Sequence, residues 1–245
     1  MKTMKNIICL SLVTAAAVSC TFIKVSDKVL DEISSGIDSS FTEIISDSLE
    51  YSGNTVTIDS RIDNFDVFEC NLPADIHFTQ SDETSLRIVA PEYLKDLVYV
   101  SNKGNRLKVG FRKPVRNRKD IMTELWLSSP VLNEIELNGA GRFVSLTPVS
   151  ADEFQLAVNG AVNFKLDSLS ASKVDIDLSG AASGEMTALS SKELNLDIEG
   201  AGRVSVQGNS EHAELNVAGV GVIDARELEC PDINTSVSGV GRVQR

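Results

Sequence analysis

The sequence IELNGAG, at residues 135–141, opens a pattern that continues to residue 245. Its central phrase appears six times, as LNGAG at 137–141, VNGAV at 158–162, LSGAA at 178–182, IEGAG at 198–202, VAGVG at 217–221 and VSGVG at 237–241. The first glycines of these phrases are Gly139, Gly160, Gly180, Gly200, Gly219 and Gly239, and the steps between them are 21, 20, 20, 19 and 20 residues. Such a regular period predicts stacked structural repeats.

The residues before each glycine alternate between apolar and polar side chains, as in Phe154, Leu156 and Val158 before Gly160. This period of two predicts a half-buried strand. A small residue follows each glycine, which suits a tight corner, and a second alternation begins beyond it. One period therefore supplies two or three short strands. The sequence predicts an all-β fold, a parallel β-solenoid with coils of about 20 residues that share one apolar core.

The segment before the regular repeats also reads as strands, but the glycine phrase does not occur in it. Seven apolar runs separated by turn signals lie between residues 51 and 132, namely TVTID, FDVFEC, ADIHFTQ, SLRIVA, LVYVS, RLKVGF and ELWLS. We therefore divide the chain into an N-terminal β region, 51–132, and regular solenoid repeats, 133–245. The N-terminal region is either a set of irregular early coils or a separate cap.

The first twenty residues, MKTMKNIICLSLVTAAAVSC, have the basic start, apolar run and small residues of a secretion signal. Residues 17–20, AVSC, resemble the bacterial lipobox, which predicts removal of residues 1–19 and lipid attachment at Cys20. An ordinary signal peptide that releases a soluble periplasmic protein is the alternative. Apolar residues spaced by three and four in residues 20–50 predict a tether that is partly helical.

Charge and cysteine content restrict the possible partners and cross-links. A net charge of −12 argues against nucleic acid and against anionic membrane surfaces. Aromatic residues make up 5% of the chain, which argues against a sugar-stacking groove. Of the four cysteines, Cys70 and Cys230 remain after the signal and the lipidated residue are set aside, and we expect both to be buried free thiols several coils apart.

Outward-pointing residues of the repeat strand form the candidate binding face. The acids in these rows are Glu134, Glu136, Asp175, Asp177, Asp197 and Glu214. They suit a flat polar surface for a cation, a glycan or a protein, and a solvated sheet face is the alternative. No metal or other cofactor is expected, although calcium at this face stays open.

Two basic groups and two histidines are the other candidates for chemistry. Arg142, Arg203 and Arg242 share one phase of the repeat, and a basic cluster comprises Arg112, Lys113, Arg116, Arg118 and Lys119. The arginine row suits either an anionic group or simple neutralisation of an acidic chain. The basic cluster suits contact with the acidic face or with lipid headgroups near the anchor, and a solvated loop is the alternative. His77 and His212 lie in different halves without a matching nucleophile, and the acids repeat without singling out a coil. We therefore expect no enzyme activity.

A family resemblance covers residues 54–245. The segment from Asn64 to Phe111, then SPVLNEIELNGAG, then the returning GAG and GVG phrases resemble the head GIN domain of auto-transporter adhesins. That resemblance implies a β-helical fold and an envelope protein of Gram-negative bacteria, often a lipoprotein. It implies no catalytic residue and no defined ligand.

Together these observations predict a non-catalytic, lipid-anchored envelope protein that displays a β-helical, adhesin-like binding surface. A β-helix enzyme acting on polysaccharide and a structural subunit of an envelope assembly are the alternatives. We expect an outer-membrane location facing the periplasm, because residues 21–25, TFIKV, lack the acidic cluster associated with surface export. The expected partners are the membrane, through the anchor, an unknown protein or glycan, and a second copy through the C-terminal coil.

Overall fold

The computed structural model describes residues 54–115 and 121–245. In the first range the elements are β1 (Thr55–Ser60), β2 (Val67–Asn71), β3 (Ala74–Gln80), β4 (Ser85–Pro91), a 3-10 helix (Glu92–Leu94), β5 (Val98–Lys103) and β6 (Arg106–Phe111). In the second they are β7 (Thr123–Ser129), β8 (Glu134–Leu137), β9 (Ala140–Ser145), β10 (Val149–Ser150), β11 (Glu153–Val158), β12 (Ala161–Leu166), β13 (Leu169–Leu178), β14 (Ala181–Ile198), β15 (Ala201–Val217), β16 (Val220–Glu229), β17 (Asp232–Val237) and β18 (Val240–Gln244).

Parallel pairing stacks these strands into a solenoid with three sheets. The first sheet runs β6, β2, β8, β11, then the final parts of β13, β14 and β15, then β17. The second runs β7, β3, β9, β12, then the opening parts of β14, β15 and β16, then β18. The third is shorter and joins β10 to the opening of β13, then to the middle of β14 and β15 and to the end of β16. The predicted fold class is therefore confirmed.

The apolar residues of the alternation point into one continuous core. On the first sheet Phe154, Val174 and Leu194 stack in register, as do Leu156, Ile176 and Leu196, and all six are buried. Fully burying one such side chain contributes about 1.5–3 kcal/mol. Since a single coil cannot cover its own apolar side, the stacked coils stabilise one another.

The six repeated glycines form a ladder at the corner between the first and second sheets. The amide of Ala181 donates to the carbonyl of Gly160 at 2.8 Å, and that of Ala201 donates to Gly180 at 2.9 Å. A Cβ on Gly180 would lie 1.9 Å from the Gly160 oxygen, and one on Gly200 would lie 1.8 Å from the Gly180 oxygen. The repeated glycine is therefore required because backbone meets backbone at this corner.

The two coils that depart from 20 residues absorb the difference at the second corner. In the 19-residue coil the register shifts between Met186 and Leu189, where Gly208 stands opposite Leu189 with a φ of +123°. In the 21-residue coil the extra residue lies between Val144 and Val149, and Leu146 is exposed there. Because these insertions and deletions fall at a corner, the inward and outward phases are preserved on the flanking strands.

The N-terminal β region is continuous with the solenoid, but its coils are not stacked in chain order. The strands β2 and β3 lie directly on β8 and β9, and β6 and β7 lie outside them although they follow later in the sequence. Three antiparallel strands then close the end, since β5 pairs with β6, β4 with β7, and β1 with β4. This region therefore supplies two coils and an antiparallel cap.

The strands β17 and β18 form the last rung of the described structure. The side chains of β17 are largely exposed, and Val237 has 44% of its surface accessible. Pairing of this rung with a second copy stays a prediction. The predicted signal segment, the predicted lipid attachment at Cys20 and the predicted tether of residues 20–50 lie outside the described residues.

Candidate functional site

The outward acids of the first sheet stand in two rows across the solenoid. One row runs Glu134, Gln155, Asp175, Asn195, Glu214 and Asn234, and the other runs Glu136, Ala157, Asp177, Asp197, Asn216 and Ser236. We call this outward surface of the first sheet the acidic face. The structure brings all six candidate acids onto it, but their surroundings differ along its length.

Cations from the outermost coil neutralise the acids at the N-terminal end of the acidic face. Arg106 on β6 contacts Glu134 at 2.9 Å, Glu136 at 3.3 Å and Glu69 at 3.6 Å. Lys108, also on β6, forms an ion pair with Glu69. Sequence reasoning missed this cluster because β6 reaches β2 only through the reversed order of the coils.

The pKa of Glu69 reflects this cluster. Burial alone would raise the pKa of its carboxyl group, but hydrogen bonds from Asn71 and Lys108 and the charges of Lys108 and Arg106 together lower it. Glu69 therefore stays ionised and acts as a structural partner for the two cations. Glu134 and Glu136, as partners of Arg106, belong to the same neutralised cluster.

Asp175, in the middle of the acidic face, also has partners. The Lys173 ammonium lies 3.0 Å from its carboxylate, and the Asn195 amide donates a hydrogen bond to it at 2.7 Å. An amide between two acids on adjacent strands removes a like-charge contact, which would cost roughly 0.2–1 kcal/mol. Asp175 is therefore held by a cation on its own strand and by an amide on the next rung.

Asp177, Asp197 and Glu199 form the uncompensated part of the acidic face. Asp177 stands opposite Asp197 on the adjacent strand, and no basic side chain of the described ranges makes an ion pair with any of these three carboxylates. Partial burial raises the pKa of Asp177, and the charges of Asp197, Asp175 and Glu199 raise it further. This is where the face retains net negative charge.

The C-terminal part of the acidic face contains a histidine. His212 Nδ1 lies 2.9 Å from the Asp232 carboxylate, and its Nε2 lies 3.6 Å from Glu214. The hydrogen bond to Asp232 raises the pKa of His212, against the opposing effect of burial, and the charges of Asp232 and Glu214 raise it further. Glu214 is therefore a neighbour of a cation whenever His212 is protonated.

The outward surface of the second sheet carries two further rows that run in register. One contains Glu124, Asp75, Arg142, Asn163, Ser183 and Arg203, and the other contains Trp126, His77, Val144, Lys165, Glu185 and Ser205. Asp75 is only 5% exposed, and the Arg142 guanidinium donates to both of its oxygens, at 2.9 and 2.5 Å. Arg142 is therefore occupied structurally and is not a free anion receptor.

A shallow groove of about 320 Å³ lies along these rows. Its lining includes Arg142, Asn163, Lys165, Ser183, Glu185 and Arg203. Lys165 is paired with Glu185 at 3.6 Å and with Asp167 at 3.3 Å. Arg142 and Arg203, two members of the arginine row, thus line this groove. Most cations that the structure describes there already face a carboxylate.

The tryptophan lies at the N-terminal end of the same surface. Trp126 is 40% exposed, and the His77 ring stacks on it with centroids 4.2 Å apart and an interplanar angle of 19°. His77 Nε2 lies 3.6 Å from Glu124. The sequence showed an alternating strand at ELWLS, but only the stacking of β7 on β3 brings the two rings together.

The two cysteines are free thiols on distant rungs. Cys70 is buried, and burial raises its pKa to about 12. Cys230 is only partly buried, so the expectation of two buried thiols is wrong for this residue. It lies between β16 and β17 at the less covered end of the solenoid, which explains its exposure.

Among residues 54–115 and 121–245 there is no group of three or more His, Cys, Asp or Glu side chains arranged to hold a metal ion. The same ranges contain no helix long and apolar enough to cross a membrane. Of the basic cluster, Arg112 and Lys113 are exposed, and residues 116–119 lie outside the described chain.

Comparison with known proteins identifies one family and several solved structures of the same fold. The family described as "Putative auto-transporter adhesin, head GIN domain" matches residues 64–186 and 181–244. A crystal structure described as a "putative adhesin" from Parabacteroides distasonis is 20% identical, with a TM-score of 0.71, over 78% of this chain and 82% of that chain. One from Parabacteroides merdae is 21% identical, with a TM-score of 0.65, over 78% and 81%.

A third solved structure is described by a different function. It is the "Putative lipid binding protein" from Parabacteroides distasonis, which is 19% identical, with a TM-score of 0.50, over 79% of this chain and 97% of that chain. At these identities the likeness extends to the fold alone. No curated protein matches the chain.

Proposed function

The chain belongs to the head GIN domain family of auto-transporter adhesins, and from this premise we propose that it is a non-catalytic binding module of the cell envelope, anchored by lipid at Cys20. Its solenoid acts as a rigid support for flat outward surfaces. The family description concerns attachment, which is in keeping with a protein at the cell surface or in the envelope. The lipid anchor is proposed from residues 17–20, AVSC.

The observation that carries the binding role is the continuity of the outward rows. Across the first sheet, the outward rows repeat at the same spacing from rung to rung, and most of their acids are paired with a cation or an amide. Enzymes that cleave glycosides need two carboxyl groups at a defined separation, one with a raised pKa. A flat face built by repetition is better suited to contact than to catalysis.

The acidic face is the proposed contact for a partner with positive charge. Its uncompensated centre, formed by Asp177, Asp197 and Glu199, is flanked by neutralised acids on one side and by His212 on the other. A partner with basic side chains would be attracted to this centre, and salt would weaken the attraction. Glu134, Glu136, Asp175 and Glu214 would form the polar rim of that contact.

The anchor is tested in cells that express the full chain or its Cys20→Ser variant. We expect the unmodified chain to incorporate labelled palmitate and to sediment with outer membranes. The variant should lose the label and appear in the soluble periplasmic fraction. Without the Cys20 thiol there is no site for acylation, and no acyl chain holds the protein to the membrane. Equal labelling of the full chain and the Cys20→Ser variant would contradict the proposed lipid attachment at Cys20.

The orientation is tested on the same cells by external protease. With the periplasmic face proposed here, the chain should resist digestion until the outer membrane is opened. A periplasmic marker and a surface-exposed marker serve as controls in the same digest. Degradation on intact cells would instead assign the module to the exterior.

A further inference from the structure

We propose that the groove of the second sheet, together with the exposed Trp126 ring at its N-terminal end, binds an uncharged oligosaccharide. The inference deepens the binding role proposed above and names a ligand class for a surface that the acidic face does not include. It departs from the expectation, drawn from the low aromatic content, that the chain lacks a sugar-stacking groove. What matters is where the aromatic residue lies.

The ring of Trp126 has the placement of a stacking platform. It projects from β7, the first strand of the second sheet, with 40% of its surface exposed, while His77 supports it from the adjacent strand at 4.2 Å. A partly exposed tryptophan combines a flat apolar surface with a fixed orientation and little conformational entropy to lose on binding. The C–H faces of a sugar ring present a complementary flat apolar surface.

The next positions in the row continue this surface toward the groove. Val144 stands opposite His77 on the following strand, and Lys165 stands opposite Val144. Trp126 and Lys165 are therefore three strand spacings apart, roughly 14 Å. That span suits a ligand of several rings, whose first ring stacks on Trp126 and whose later rings reach the groove.

The groove provides hydrogen-bonding groups, and carboxylates balance the charges of Arg142 and Lys165 in its lining. Arg142 is paired with Asp75, and Lys165 with Glu185, so donors and acceptors lie side by side in fixed positions. Hydroxyl groups both donate and accept, and therefore match such pairs, whereas an ionic ligand would find its countercharge already occupied. The groove volume of about 320 Å³ lies at the lower end of the range of roughly 300–1,000 Å³ for ligand sites.

One buried acceptor in the groove wall also favours a polar ligand. Asn163 lines the groove, and its Oδ1 is buried without a hydrogen-bond donor among the described residues. Leaving such an atom unpaired costs about 1–3 kcal/mol. After rotation of the amide, a sugar hydroxyl in the groove can donate to this oxygen.

The test uses the fact that Trp126 is the chain's single tryptophan, so that its fluorescence reports on this site alone. The purified full chain is applied to an array of neutral oligosaccharides, with acidic oligosaccharides and unglycosylated peptides alongside. The best neutral probe is then titrated into the protein while tryptophan emission is recorded. We expect saturable binding with a shift in emission, and recovery of the intact oligosaccharide by mass spectrometry.

Variants then locate the site. Trp126→Ala should weaken binding at least tenfold, Trp126→Phe should retain most of it, and Lys165→Ala should weaken it by a smaller factor. Tyr93→Ala is the matched control, because Tyr93 is 38% exposed on the short 3-10 helix outside both rows. Circular dichroism of each variant confirms that the fold is retained.

The outcomes separate this inference from the proposed function. Absence of binding to every neutral probe, or binding that Trp126→Ala leaves unchanged, overturns the saccharide site and leaves the Cys20 anchor standing. Preference for the acidic probes contradicts the assignment of an uncharged ligand. Cleavage of the bound oligosaccharide would instead contradict the non-catalytic function.

Discussion

At the scale of single residues, the corner glycines are the positions where the chain tolerates least change. Their repeat is explained by distance: a methyl group on Gly160 would lie 1.8 Å from the Gly139 carbonyl oxygen. Of the six repeated glycines, only Gly239 has a φ in the left-handed region. Close backbone approach, more than backbone conformation, therefore selects glycine at this corner.

Gly180→Ala is therefore expected to lower the free energy of unfolding by about 3 kcal/mol, at the upper end of the usual cost of overpacking. The new methyl group would meet the Gly160 oxygen at 1.9 Å and separate two stacked coils. Urea denaturation followed by circular dichroism measures the change. Ser179→Ala, at the exposed preceding position, is the control, and an equal effect of both changes would contradict a steric role for the glycine.

Replacement of Asp177 by asparagine is expected to stabilise the folded protein, because neighbouring carboxylates surround this residue. Its folded pKa is raised above the unfolded value near 3.8, so the folded state binds the proton more tightly and stability falls as pH rises through the folded pKa. At pH 7 the full penalty is present. Asp177→Asn should remove it and raise the free energy of unfolding by about 0.5 kcal/mol, the scale of a cross-strand like-charge pair.

The pH dependence separates this explanation from a general effect of the substitution. Well below the unfolded pKa near 3.8 the Asp177 carboxyl group is protonated in both states, so the advantage of the Asp177→Asn variant should vanish there. Asp175→Asn is the matched control, since Asp175 is paired with Lys173 at 3.0 Å and should gain nothing at pH 7. A gain of equal size at both positions would argue against the assigned cause.

At the scale of elements, neighbouring strands share volume across the core. Phe164 on β12 stands opposite Gly184 on β14, and a Cβ on Gly184 would lie 2.0 Å from the Phe164 ring. The glycine thus accommodates the ring of the strand below it. Alternating large and small residues at facing positions keep the spacing between rungs uniform.

This sharing predicts coupling between the two strands. Gly184→Ala alone should cost about 1–3 kcal/mol, as expected when a well-packed core is overfilled. Phe164→Leu combined with Gly184→Ala should recover part of that loss, because the shorter side chain leaves room for the new methyl group. A double-mutant cycle in urea measures the coupling, and strict additivity of the two changes would contradict the shared volume.

At the scale of the whole molecule, the core is least covered at the C-terminal rung and fully enclosed near the N-terminal cap. This difference appears in the thiols, since Cys70 on β2 is buried with a pKa raised to about 12 and Cys230 is partly exposed. Thiolate is the reactive form of cysteine, so reactivity follows both pKa and exposure. The two residues therefore report on opposite parts of the solenoid.

Iodoacetamide labelling of the native protein should modify Cys230 well before Cys70. Labelling of Cys70 should require opening of the coils that cover it, so its rate should rise steeply near the urea midpoint. Mass spectrometry of tryptic peptides assigns each site, and a Cys230→Ser chain supplies the Cys70 rate without competition. Rapid labelling of Cys70 in the native state would contradict the enclosed core near the cap.

Features that repeat from coil to coil could be predicted from the sequence, because they depend on short-range interactions. The coil length, the inward phases and the corner glycines repeat every 20 residues or so, and each repeat is a local pattern of side-chain alternation and steric demand. They could be predicted because a stack of similar coils imposes the same requirement at each rung. The rows of Glu134 to Asn234 followed from the same periodicity, and they stand in register.

The sequence by itself determined the solenoid, its core and the outward rows of acids, since these depend on neighbours one coil away. The tertiary structure alone decided that β6 and β7 lie outside β2 and β3. That reversed stacking brings Arg106 to Glu134 and stacks His77 on Trp126. No local period encodes it, because it depends on pairing between strands separated by about 40 residues or more and on the antiparallel cap that turns the chain around.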